Sequence, residues 1–428
     1  MSESVLILGG GGREHALAWK LAQSTHVDSI SVAPGNVGTL GMGCENVPIE
    51  PTDIKGLVVF ALKREISLTV VGPDEALAVG TVDAFRAEKL PIFGPTRAAS
   101  KLEWSKAFAT RFMQRHNIPT PVREVFDERS MAEDYVHQHS SAQDIVIKAD
   151  GLAAGKGVFL PKTFNEAHGI LFRLMTAEEL GSAGKTVVIQ ERLAGKELSV
   201  FALCDGTRTV MLPFCRDHKR LLDGDKGPNT GSMGAFGPVH MEPELSEVIE
   251  SNIVQPTIEG MSQEGHLYKG LLYVGLMLSG EGPKVIEYNA RFGDPECQAQ
   301  MLLIDEDIYP RLRQVTSGKL SAKPIRLRDG YAVTVALAAA GYPDEPRKGD
   351  EIYGLELTKD LAQNNVQVFH GGTKRVGDRI VTNGGRVLHI AAYGETLEVA
   401  RSQAYSAIGE QAIHFADMQY RGDIGDSA

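Results

Sequence analysis

The stretch Lys284-Val285-Ile286-Glu287-Tyr288-Asn289-Ala290-Arg291-Phe292-Gly293-Asp294-Pro295-Glu296 sets a carboxylate and an amide oxygen two residues apart. In an extended strand, residues i and i+2 share a face. Glu287 and Asn289 would therefore point the same way. A carboxylate paired with an amide oxygen suits a hard divalent cation carrying nucleotide phosphates, because magnesium takes few protein oxygens in such sites. Arg291 extends the line towards a phosphate. The same spacing also fits a solvated strand face ended by a turn at Gly293-Asp294-Pro295.

Three glycine-rich stretches have anion chemistry. In Lys148-Ala149-Asp150-Gly151-Leu152-Ala153-Ala154-Gly155-Lys156-Gly157-Val158, small residues flank a tip lysine and follow a strand that ends in a second lysine. Both charges and several bare amides could fold over a triphosphate. This is not a Walker A loop, since Gly157 stands where Ser or Thr should hold magnesium. A solvated hairpin tip has the same composition. Around Arg216-Asp217-His218-Lys219-Arg220, cationic side chains lead into a loop, residues 223–238, holding Gly224, Gly227, Gly231, Gly234 and Gly237. Such a loop could close on an anionic substrate, or simply lie at the surface. No histidine, His218 included, shows ligand spacing. Near the start, Gly9-Gly10-Gly11-Gly12-Arg13-Glu14 follows a strand and opens a helix, which leaves amides and a positive dipole end free for an anion. It fails the dinucleotide fingerprint. The third glycine falls on Glu14 or His15, and the second strand ends in Ala33-Pro34 rather than an acid.

The elements that would carry these groups can be read from periodicity. Strands at residues 5–8, 30–33, 68–71 and 92–93 each run into a loop containing glycine, and helices are expected at 54–64 and 79–88. Strand, loop and helix repeated in this way predict a doubly wound parallel sheet, whose ligands sit beyond the carboxyl ends of the strands. A helix over 98–116 ends at Ile118-Pro119-Thr120-Pro121. A small α+β unit follows, with strands at 145–148 and 187–191 and a helix at 164–175. Beyond it come strands at 199–203 and 210–214, a helix at 244–264 and a hairpin at 271–289 turned by Gly280-Glu281-Gly282. The last hundred residues are mostly strands, closed by a helix at 396–408.

Composition narrows the classes. The 428 residues suffice for about two to four domains. Hydrophobic residues make up 43% and charged residues 23%, a globular balance. No apolar run nears the ~20 residues that span a bilayer, and Met1-Ser2-Glu3-Ser4 lacks the basic start of a signal peptide. The net charge of −11 disfavours wrapping nucleic acid. The four cysteines form no CxxC or zinc pattern and read as reduced thiols of a cytoplasmic protein.

Taken together, the lid loop and the Glu-x-Asn pair resemble the ATP-grasp ligases. Four stretches narrow the likeness to the glycinamide ribonucleotide synthetase family: Gly11-Gly12-Arg13-Glu14-His15-Ala16-Leu17; Lys148 through Val158; Asp217-His218-Lys219-Arg220 with Gly227-Pro228-Asn229-Thr230-Gly231-Ser232-Met233-Gly234-Ala235; and Asn289 through Glu296. The resemblance extends from Leu6 to about Gly425. It departs in small ways: Gly9-Gly10 stands where the family often has Gly-Asn, Asp74 where Gly-Pro-Glu is usual, Ser232 for a glycine and Ala290 for a cysteine.

The resemblance implies an α/β and α+β multidomain fold: a Rossmann-like substrate domain at 1–103, an ATP-grasp core at 104–325 with a lid at about 121–192, and an α+β domain at 326–428. It also implies a ligase that joins glycine to 5-phosphoribosylamine with ATP and Mg²⁺ or Mn²⁺. Separately, the lack of a coiled-coil heptad or extended apolar stripe points to a monomer, and charge and hydropathy point to no nucleic-acid or membrane partner. By that likeness, Lys106, Lys148, Gly151, Gly155, Lys156, Gly157 and Val158 cover ATP phosphates. Glu191, Arg192 and Leu193 form the adenine hinge, and Glu197 holds ribose. Glu287 and Asn289 bind the metal. Arg291, Lys148 and Asp217 serve the chemistry. Gly10, Gly11, Gly12, Arg13, Glu14, Lys219, Asn229, Met233, Gly234 and Asp294 hold the other substrates. Another ATP-grasp ligase or carboxylase, or a nucleotide-binding regulatory protein, would share the lid. The former would lack the 217–235 stretches, and the latter could lose Lys148, Glu287 or Asn289.

Overall fold

A computed structural model describes residues 3–152 and 157–426. The first hundred residues form a parallel sheet in the order Glu45–Asn46, Val27–Pro34, Glu3–Gly9, Leu68–Val71, Ile92–Phe93. The central strand is an apolar run, Val5-Leu6-Ile7-Leu8, fully buried because helices cover both faces. Its loop turns directly into the helix Gly12–Leu21, four residues earlier than the apolar positions suggest. The helix expected at 79–88 begins at Asp74 and breaks at Gly80, whose φ of +94° closes Asp74–Val79 before Thr81–Ala87 starts.

The expected 98–116 helix is also two, Lys101–Trp104 and Lys106–Arg115, parted at Ser105. Ser105 leaves helical geometry (φ −130°, ψ 103°) so that its hydroxyl can accept the Phe108 N–H. Asp150, at the root of the lid loop, accepts from the Ala107 N–H at 2.6 Å and from the Ser105 hydroxyl at 3.0 Å. The lid loop thus starts from the cap of the helix that carries Lys106.

The lid is a four-stranded antiparallel sheet ordered Arg123–Phe126, Val187–Glu191, Ile145–Ala149, Val158–Phe159. Helices Arg129–Val136 and Phe164–Met175 pack their apolar stripes on it, around Ile145, Ile147, Leu171 and Ile189. The core sheet runs Thr209–Met211, Lys196–Asp205, Lys269–Ser279, Gly282–Asn289. The last two strands form the expected hairpin.

The third large sheet is ordered Arg216–Asp217, Gly234–Gly237, Tyr331–Ala338, Arg386–Gly394, Val366–His370. One of its strands, Gly234–Gly237, comes from the stretch read as a glycine-rich loop, and another, Arg216–Asp217, from the cationic run before it. Gly234 to Gly237 pair with Ala332 to Val335, so strand pairing runs across the 325/326 division. Glycines there serve close packing: a Cβ on Gly234 would lie 2.7 Å from the Thr334 carbonyl oxygen. Helices Glu296–Leu303 and Ile308–Ser317 were not foreseen. All eight residues of Glu296–Leu303 are buried, so it has no amphipathic stripe to read. Among the described residues no helix is long and apolar enough to cross a membrane.

Candidate active site

The lid sheet and the core sheet enclose a cleft of about 730 Å³. Strand ends supply its charged groups. Lys148, near the end of Ile145–Ala149, is buried and donates to the Ile286 carbonyl at 2.9 Å. Burial, with help from the nearby Arg123 charge, pulls its pKa down to about 7. Across the cleft, the Lys219 ammonium lies 2.9 Å from a Glu197 oxygen and 3.1 Å from Glu287 Oε1. Enclosure alone would lower the Lys219 pKa, but Glu197, Glu287 and Asp217 outweigh it and raise the pKa well above the ordinary lysine value. The same Lys219 charge holds the Glu287 carboxyl at about 2. Asp217 is pushed well above the carboxylate range by burial.

Arg291 is anchored rather than free. Its guanidinium donates to Glu103 Oε1 at 3.0 Å and to Asn289 Oδ1 at 3.1 Å. Glu103 Oε2 in turn accepts the Ala290 N–H at 2.8 Å, which fixes the chain just after the strand that carries Glu287 and Asn289. Nothing in the sequence around Lys101-Leu102-Glu103-Trp104 marks Glu103, because its partner lies 187 residues away. Arg123, Gln190 and Asp74 also line the cleft without a motif of their own.

Among the described residues no group of three or more His, Cys, Asp or Glu side chains is placed to hold a metal ion. A pair of hard oxygens is another matter. Glu287 is ionised, and its carboxylate already accepts a cationic ammonium. The Asn289 amide oxygen stands two residues along the same strand, in the same cleft. This donor set fits a magnesium-type ion that draws its remaining ligands from phosphates and water.

Most of the foreseen residues meet here. Lys106, Lys148, Gly151, Gly157, Val158, Arg192, Leu193, Glu197, Asp217, Lys219, Asn229, Glu287, Asn289, Arg291 and Asp294 all line the cleft. Gly155 and Lys156 lie outside the described residues. Glu191 is not among the lining residues; its N–H donates to the Val122 carbonyl. Met233 and Gly234 differ from expectation. Met233 is wholly buried in a small cluster with Leu221 and Ala338, and Gly234 pairs with Val335 in the sheet. Met233 is held in the core just before the strand, and close packing against Ile424 and the Thr334 carbonyl leaves Gly234 no open face.

Gly10, Gly11, Gly12, Arg13 and Glu14 are not lining residues either, yet they abut the end of the cleft at Asp294. A Cβ on Gly11 would lie 3.5 Å from Asp294 Oδ2. Glu14 accepts from the Gly11 N–H and from Arg13 Nε, both at 2.7 Å, and Arg13 donates to the Phe292 carbonyl at 3.0 Å. The amides of this loop are thus partly taken by its own carboxylate. Asp294 accepts from Gln298 at 2.8 Å and lies 3.6 Å from Arg386 and 3.4 Å from His389. Burial would raise its pKa, but Arg386, His389 and Arg13 hold it below the usual range.

Three family models cover the chain in order: the N domain of phosphoribosylglycinamide synthetase over residues 3–103, its ATP-grasp (A) domain over 104–297 and its C domain over 332–427. The chain belongs to the phosphoribosylglycinamide synthetase family. A relative named phosphoribosylamine–glycine ligase, from Ralstonia nicotianae, is 47% identical over 428 residues, 99% of each chain. The crystal structure of a phosphoribosylamine–glycine ligase from Thermotoga maritima superposes with a TM-score of 0.85 at 38% identity, covering 98% of this chain and 100% of that one. A biotin carboxylase from Campylobacter jejuni reaches a TM-score of 0.72 at 12% identity over 99% of this chain and 94% of that one, a likeness of fold alone. Within the family, an ATP-grasp domain brings the use of ATP and a divalent cation.

Proposed function

We propose that this chain joins glycine to 5-phosphoribosylamine, forming glycinamide ribonucleotide, ADP and phosphate in purine biosynthesis. The observation that carries this reading is the cleft itself. Glu287 and Asn289 face it from one strand, beside Lys148, Lys219 and Arg291, in a chain that matches the family along its whole length.

Glu287 and Asn289 would hold a Mg²⁺ or Mn²⁺ ion, which would supply neutralisation of phosphate charge. In the reaction proposed, a glycine carboxylate oxygen attacks the γ-phosphorus, and ADP leaves. The amine of phosphoribosylamine then attacks the carbonyl carbon of glycyl phosphate. The amide bond forms, the C–O bond to phosphate breaks and the amine loses a proton. No nucleophilic side chain is required, because phosphoryl transfer depends on positioning and charge neutralisation. Lys106 and Lys148 approach the phosphates from the lid side. Arg291, braced by Glu103 and Asn289, faces the transferring charge with little freedom to reorganise. Glu197 holds ribose hydroxyls, and the segment from Arg192 to Leu193 holds the base. Asp217, Lys219, Asn229 and Asp294 orient glycine and the sugar phosphate, with the Gly10–Glu14 loop behind them. Lid closure excludes water from the acyl phosphate. The chain acts as a cytoplasmic monomer; its four cysteines are free thiols, all buried.

The direct test measures ADP release with Mg²⁺-ATP, glycine and freshly generated phosphoribosylamine, omitting each in turn. The expected result is ADP that requires both co-substrates, with glycinamide ribonucleotide seen by mass spectrometry. ADP formed without either co-substrate, or none at all from folded protein, refutes the reading.

A further inference from the structure

The largest fully buried side chain among the described residues is an arginine near the end of the last domain, Arg421, at 2% exposure. Burying a guanidinium is costly unless every donor finds a partner. Here Nε and NH2 donate to the two Asp423 oxygens at 2.7 Å each, and NH1 donates to Asp225 Oδ1 at 2.7 Å. NH1 also reaches the Arg220 carbonyl at 3.3 Å. The main chain repeats the connection in both directions. The Gly422 N–H donates to Asp223, and the Gly224 N–H donates to Asp423, both at 2.8 Å. Asp225 is 196 residues away in sequence, so this is a tertiary clasp and not a local turn.

The clasp holds the tip of a small hairpin. Strands Arg220–Leu222 and Lys226–Asn229 pair only with each other, as a two-stranded sheet. Such a hairpin is marginally stable in water without packing; this one packs Leu221 beside Met233 and Ala338 but leaves Leu222 52% exposed. Its base, however, forms one wall of the cleft: Lys219, Arg220, Asn229, Thr230 and Gly231 all line it. The two sides of that base are tied, since Thr230 donates to the Lys219 carbonyl through both its N–H and its hydroxyl, at 2.8 and 2.9 Å. The tail is itself fixed to the last helix, Leu397–Ser406. The Tyr405 hydroxyl donates to the Arg421 carbonyl at 2.7 Å, and Arg401 donates to the Gly422 carbonyl at 2.7 Å.

We propose that Arg421 is a positioning residue: through Asp225 and Asp423 it fixes the 220–229 hairpin and so sets where Lys219 and Asn229 meet the substrates other than ATP. The identity of those substrates rests on the proposed function; the clasp itself does not.

The test compares Arg421→Gln, Arg421→Lys and Asp225→Ala with the parent chain. Asp225 is 74% exposed, so its loss removes the hairpin end of the clasp without opening the core. Steady-state kinetics with each substrate varied in turn should show KM for glycine and phosphoribosylamine raised about tenfold or more in Arg421→Gln. KM for ATP should stay within about twofold. Asp225→Ala should repeat the pattern more weakly, and Arg421→Lys should restore part of it. Tryptic cleavage after Lys226, in otherwise folded protein, should quicken in the same order. This readout needs no turnover, so it distinguishes failure of the clasp from failure of the assigned reaction. Unchanged KM values and cleavage in folded Arg421→Gln and Asp225→Ala would overturn the proposal. So would a loss of kcat that merely tracks the fraction of folded protein.

Discussion

Two clusters of ionisable groups are enclosed by this fold, and they meet opposite fates. In the cleft, Lys219 stays charged because two carboxylates lie within 3.1 Å, and Glu287 stays charged because of Lys219. Behind the cleft, His15, His370 and His389 pack where the first helix meets the third sheet. His15 Nδ1 accepts the His370 N–H at 2.8 Å, and the two rings lie 5.7 Å apart. Burial drives His370 and His389 to about 4 and His15 well below its ordinary value, so all three are neutral near pH 7. Enclosure alone does not decide charge; the neighbouring groups do. At Lys219 and Glu287 the cleft keeps charges for a ligand to meet, whereas the three junction histidines, like the buried Asp217, are held neutral.

The largest effect that would break this contrast is at Glu287. Glu287→Gln should cut turnover by about 10³-fold or more, since it removes the carboxylate of the cation pair proposed with Asn289. Circular dichroism should show the fold intact. Unaltered ADP formation would remove Glu287 from the chemistry. Next, Lys148→Met should lower kcat/KM for ATP by about 10²-fold, measured with the other substrates saturating. An equal effect on KM for glycine alone would place Lys148 elsewhere.

At the junction the expected losses are of stability. A Cβ on Gly12 would stand 2.3 Å from His389 Nδ1 and 2.7 Å from Gln298 Nε2. Gly12→Ala should therefore cost about 1–3 kcal/mol in denaturant melts. Adding His389→Ala should relieve part of that cost, a coupling that a double-mutant cycle reads directly. The smallest effect is on pH dependence. His370 and His389 titrate at about 4 in the folded chain against an ordinary 6.5. Between those values the unfolded chain binds more protons, so the contribution of these histidines to stability should be level above about pH 6.5 and fall as pH drops towards 4. His389→Phe should shrink that fall by on the order of 1–2 kcal/mol. An unchanged acid profile would mean that His389 is not one of the groups responsible.

How far the sequence revealed these features differs by region for physical reasons. Glu287, Asn289 and Lys148 were legible because strand alternation and strand ends fix where such side chains point. The parallel sheet was legible because each apolar run ended in a glycine loop. The Glu103–Arg291 pair and the Arg421 clasp were not, since contacts across nearly two hundred residues leave no local pattern. Glycine misled at 234–237: a flexible-looking run proved to be a strand whose small residues allow close packing. Met233 and Gly234 entered the expected site through the family likeness; Met233 packs in the core just before the strand, and the Gly234 backbone is taken up in strand pairing. The helix Glu296–Leu303 escaped notice because burial on every side erases periodicity.

The most direct test of the chemistry assigned to the cleft uses glycine labelled with ¹⁸O in its carboxylate. If glycine is phosphorylated before the amine attacks, one labelled oxygen must leave with inorganic phosphate. Mass spectrometry should find one ¹⁸O in the phosphate for each glycinamide ribonucleotide formed. Product formed with unlabelled phosphate would contradict phosphoryl transfer to the glycine carboxylate.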